Sequence, residues 1–75
     1  MIIKFSRHAK RRAALYKIPE SAVERILAVL ELADGEHVLV SDISSFKYPI
    51  KIVVAVENEV VTVITSYPLK KGRIK

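Results

Sequence analysis

The chain has no cysteine and no tryptophan, and only two glycines and three prolines among 75 residues. Without cysteine, neither a disulfide framework nor a thiolate metal site can form. So few glycines leave no glycine-rich loop to cradle a phosphate. Long apolar runs are missing too. The longest, such as residues 52–56, fall far short of the roughly 20 residues a membrane helix needs. Met1, Ile2 and Ile3 are likewise too few for the apolar part of a signal peptide. The expectation is one soluble, cytoplasmic domain over residues 1–75. With 51% apolar residues but only 7% aromatic ones, its core must be Val, Ile, Leu and Ala. A domain of this size buries only about 60% of its unfolded surface, so that core has to be efficient.

What is abundant is positive charge, and it is unevenly placed. The formal net charge is +5. Residues 1–17 carry six Lys/Arg and no acid, whereas residues 18–46 set Arg25 against six acids. Residues 47–75 return to six Lys/Arg against Glu57 and Glu59. If the two basic ends meet in space, one surface becomes strongly positive and suits a phosphate-rich partner.

Periodicity gives the organisation. Residues 1–5 (MIIKF) are short, apolar and rich in β-formers, which predicts a first strand. Ser6 suits the cap of a helix over about 7–17. The pair Ile18-Pro19 interrupts and restarts the chain. Over 20–33, Val23, Ile26, Leu27 and Leu30 follow the spacing of one helical face, and Asp34-Gly35 predicts its end.

The period then changes to two. Residues 37–41 predict a strand, residues 42–45 a polar loop, and residues 46–57 a long strand. That long strand places Ile50, Ile52, Val54 and Val56 on one face, with Lys51, Val53 and Ala55 on the other. Pro49 weakens its start. Asn58-Glu59 predicts a two-residue hairpin turn into a last strand over 60–67, which Pro68 should end. The expected fold is α+β in the order β-α-α-β-β-β, with one antiparallel sheet and two helices packed on one face. If the first strand joins the last hairpin, the basic first helix comes near the basic tail.

Candidate chemistry centres on the first helix. His8, Arg12 and Tyr16 trace one stripe at the border between core and solvent, beside Ala9 and Ala13, which are small enough to approach the sheet closely. A neutral imidazole at His8 could accept a proton as a general base. The alternative is a structural histidine that fixes the helix start. Two separated histidines, His8 and His37, without a carboxylate cluster make no metal site, and no cofactor is expected. Tyr48, Tyr67 and Phe46 could stack on bases, while Arg11, Lys47, Lys51, Lys70, Lys71 and Arg73 could contact phosphates.

The stretches HAKRRAALYKIPESAVERIL and VVTVITSYPLKKGR resemble a domain family of unknown function. Its members open with H-A-x-x-R-x-x-x-R-x-I and close on V-x-T-V. His8, Ala9, Arg12 and Ile18 match that opening, and Tyr16 stands where arginine is usual. The family is similar to the RelE/ParE-like toxins of toxin–antitoxin systems. The resemblance implies a RelE-like fold and metal-independent endoribonuclease activity on mRNA, often ribosome-bound. His8 or Lys51 would be the base, Arg12 and Arg73 the charge stabilisers, and Tyr67 an acid or stacking residue. Arg11, Lys47, Tyr48, Lys70 and Lys71 would hold RNA. A non-catalytic RNA-binding or protein-interaction module is the alternative, and a gyrase-poisoning ParE-like toxin a third. Expected partners are RNA and a cognate antitoxin or a second copy of the chain, packed on the sheet face that bears Val53 and Ala55. No membrane partner is expected.

Overall fold

The computed structural model describes residues 2–42 and 48–69. Strand β1 (Ile2–Phe5) leads through Ser6 into helix α1 (Arg7–Tyr16), and helix α2 (Glu20–Ala28) follows after Pro19. Strands β2 (Gly35–Ser41), β3 (Ile50–Glu57) and β4 (Val60–Pro68) complete the order β-α-α-β-β-β read from the sequence.

Local chemistry explains the ends of these elements. The Ser6 hydroxyl accepts the Ala9 amide at 3.0 Å and so caps α1. Lys17 closes α1 in the left-handed conformation (φ 57°, ψ 41°), its amide reaching back to the carbonyls of Ala13 and Ala14. Helix α2 stops at Ala28, earlier than the pattern over 20–33 predicts. Its last turn carries Arg25, which suits the negative helix end. Extension would have put Glu31 and Asp34 at that end, where carboxylates are disfavoured. Asn58 (φ 51°) and Glu59 (φ 66°) form the two-residue turn between β3 and β4.

The sheet order is β1-β4-β3-β2. β2–β3 and β3–β4 are antiparallel, but β1 runs parallel to β4, with Ile3 beside Val61 and Phe5 beside Val63. The sheet is therefore mixed, which corrects the all-antiparallel expectation. The cause lies in the connection. A single residue, Ser6, separates β1 from α1, and α1 packs mainly on β4. The short link seats β1 beside β4, and which way it points is settled by the helix that follows. Apolar alternation carries no direction, so the sequence pattern could not show this.

One face of the sheet is covered. Ile50, Ile52, Val54, Val56, Val61 and Val63 form a core with Ala9 and Ala13 of α1, Val23 and Leu27 of α2, and Ile18 between the helices. That core is aliphatic, as the composition requires. The other face carries Lys51, Val53, Ala55 and Tyr67, and no helix of the described residues packs on it. Among the described residues, no helix is long and apolar enough to cross a membrane.

Candidate nucleic-acid interface

Helix α1 is built to show cations. Its buried side chains are Ala9 and Ala13 alone, four residues apart on one face. Everything long therefore points sideways or outward. Arg7, His8, Lys10, Arg11 and Lys17 are exposed, and Arg12 and Tyr16 are half-buried at the border with the core. The small alanine face brings the helix axis close to β4, so the cationic face is held on a rigid support.

Two anchors fix the start of this helix. The Ser6 amide donates to the Val63 carbonyl at 3.0 Å, and the Ser6 hydroxyl donates to the Ile64 carbonyl at 3.0 Å. His8 sits two residues later, in the first turn, with its ring in solvent. His8, Arg11, Arg12, Ala14 and Leu15 line an open depression of about 620 Å³. Arg12 Nη1 donates to the Tyr16 hydroxyl at 3.4 Å, one turn on. This contact holds the guanidinium along the helix and leaves its remaining donors free to meet an anion. The stripe of His8, Arg12 and Tyr16 read from the sequence is thus real. Leu15, 67% exposed, is an apolar lining residue that charge patterning did not single out.

Lys51 and Tyr67 make a separate constellation. They face each other across β3 and β4, with Lys51 Nζ 5.8 Å from the centre of the Tyr67 ring. A lysine held over an aromatic face gains a modest cation–π attraction. Their neighbours Ile52 and Ser66, one residue along each strand, are fully buried under the helices. Lys51 and Tyr67 therefore project from the opposite side of the sheet to His8 and Arg12. The structure does not bring these two pairs together. Tyr48 is half-buried at the bend before β3. Lys47, Lys70, Lys71 and Arg73 lie outside the described residues, as do Phe46 and most of the expected polar loop.

His37 has a structural role. Its Nε2 lies 2.6 Å from the Ala33 carbonyl, so that nitrogen carries the proton and donates, tying β2 to the turn before it. Among the described residues, no group of three or more His, Asp or Glu side chains could hold a metal ion.

Compared with known protein families, curated proteins and solved structures, the chain matches none.

Proposed function

We propose that this chain is the toxin component of a toxin–antitoxin pair, a small RelE-like, metal-independent endoribonuclease that grips mRNA along α1. The observation behind this reading is that exposed His8 and Arg11 and half-buried Arg12 line one depression. A phosphodiester seated there meets an imidazole and two guanidinium groups at once.

The chemistry follows from those groups. His8 takes the proton of a ribose 2′-hydroxyl, whose oxygen then bonds to the adjacent phosphorus. Arg12 offsets the charge that builds on the phosphoryl oxygens as the bond to the 5′-oxygen breaks. That 5′-oxygen takes a proton from water, because Tyr67 stands on the far side of the sheet. The products are a cyclic 2′,3′-phosphate and a free 5′-hydroxyl. The purified protein should cut RNA in the presence of a metal chelator. His8→Ala and Arg12→Ala should each reduce the rate by about 10²–10³-fold. Unchanged cutting in both variants overturns the site.

A second reading is favoured by the distance of Lys51 and Tyr67 from α1, which leaves His8 without a second acid–base partner among the described residues. Here the same face binds RNA and does not cut it. A denaturing gel of incubated RNA separates the two readings, since only the first yields fragments.

A further inference from the structure

We infer that the uncovered face of the sheet is the contact surface of a two-fold dimer, with a second copy of this chain as its occupant. The inference is independent of the RNA reading, which concerns the other side of the molecule.

The surface follows from register. Val38 of β2 is paired with Val53, and Val40 with Lys51, so all four share the uncovered face. Val38 and Val40 are 59% and 58% exposed, and Ile2, beside Val60 at the far edge of the same face, is 56% exposed. Val53 and Ala55 fill the middle and are half-buried. Val38, Val40, Val53 and Ala55 adjoin one another, and Thr62 and Thr65 of β4 lie between them and the β1 edge. An apolar patch of this kind on a small domain marks an interaction site.

The charges on that face identify the occupant. Along β3, Lys51 stands at one end and Glu57 at the other, with Glu36 beside Ala55 near the acidic end. Lys4 lies in that same row at the β1 edge, beside Thr62. The apolar middle lies between. Two copies can stack face to face about a two-fold axis that lies between the sheets and runs across the strands. That rotation turns one copy end for end. Lys51 of each then comes over the acidic end of the other, while Val53 and Ala55 meet in the centre. Sheets stack about 10 Å apart, a gap that a lysine and a glutamate reaching toward each other can bridge. Along β3 the face is thus complementary to itself, as an isologous interface must be, while Lys4 stays at the β1 edge outside these paired charges. It is also small, about 20 Å on a side from strand spacing and length. That size places the association in the weak, concentration-dependent class.

Sedimentation equilibrium from micromolar to near-millimolar protein should show a monomer–dimer equilibrium that weakens with added salt. Val38→Lys, at a position already exposed, should abolish the dimer and leave the circular dichroism unchanged. Lys51→Glu alone should weaken association about tenfold, because it sets acid against acid at both ends. The double variant Glu36→Lys, Glu57→Lys should do the same with cations. Mixing the two should restore association, since residues 51 and 57 then meet with opposite sign at both ends. A wild-type chain that stays monomeric to near-millimolar concentration overturns the inference. So does a mixture that associates no better than its components.

Discussion

Ser6 ties the start of the first helix to the last strand, its hydroxyl donating to the Ile64 carbonyl at 3.0 Å. Ile64 is the residue that β4 inserts where the β3–β4 register shifts, between the pairs Val54–Val63 and Val53–Thr65. A bulge residue has no partner in the neighbouring strand. The same hydroxyl accepts the Ala9 amide, so it satisfies one orphan group of the helix and one of the sheet.

Ser6→Ala should therefore cost about 1–2 kcal/mol, the upper part of the range for losing a helix cap. In a domain of this size the melting temperature should fall by about 4–8 °C per kcal/mol. Ser6→Thr should recover most of the loss, since its hydroxyl can occupy the same place. An alanine variant that melts with the wild type would show the link to be inert.

Glu59→Gly should stabilise the fold. Glu59 adopts a φ of 66° in the β3–β4 turn, a conformation that costs a residue with a side chain roughly 1–2 kcal/mol. Glycine after Asn58 gives the Asn-Gly pair preferred in such turns. The gain should be about 1 kcal/mol in chemical denaturation, net of the extra freedom glycine brings to the unfolded chain. A lower denaturation midpoint would contradict the turn geometry.

Ser66 is fully buried on the core side of β4, and its hydroxyl has no hydrogen-bond partner among the described residues. An unpaired buried hydroxyl costs about 1–3 kcal/mol of desolvation. Ser66→Ala removes that cost with little change in volume, so its stability should equal or exceed that of the wild type. A loss above about 1 kcal/mol would mean that the hydroxyl is paired after all.

Arg11→Ala should lower RNA affinity and also flatten its salt dependence. On single strands each phosphate contact contributes about 0.7 to the log–log slope. The slope should drop by about that amount, measured by fluorescence anisotropy across a salt series. Lys51→Ala, on the other side of the sheet, should leave the slope as it was. Equal effects from both variants would place the bound RNA elsewhere.

The order of elements was legible because period and punctuation agree along this chain. Ser6, Pro19 and the Asn58-Glu59 pair each mark a boundary or turn that the structure has, whereas Gly35, read as the end of the second helix, opens β2 instead. The alternation in β3 likewise named its buried face, Ile50, Ile52, Val54 and Val56. The direction of β1 was not legible, because MIIKF reads the same in a parallel or an antiparallel pair. The placement of Lys51 was half legible. Alternation set it opposite Ile50 and Ile52, and only the helices decided which of those faces is covered. Once the helices lie on the isoleucine face, Lys51 cannot stand beside His8. Four-residue spacing alone puts His8, Arg12 and Tyr16 on one side of α1, although only Arg12 and Tyr16 lie at the border with the core and His8 is exposed.

The parallel pairing of β1 with β4 bears on how the molecule is born. β1 takes its neighbour from β4, far along the chain, which is contact of the slowest kind to establish. Until residue 64 has been added, Ser6 has nothing to tether it and the alanines of α1 have no surface to cover. Closure is one late event, and a message cut short before β4 yields no smaller version of the domain.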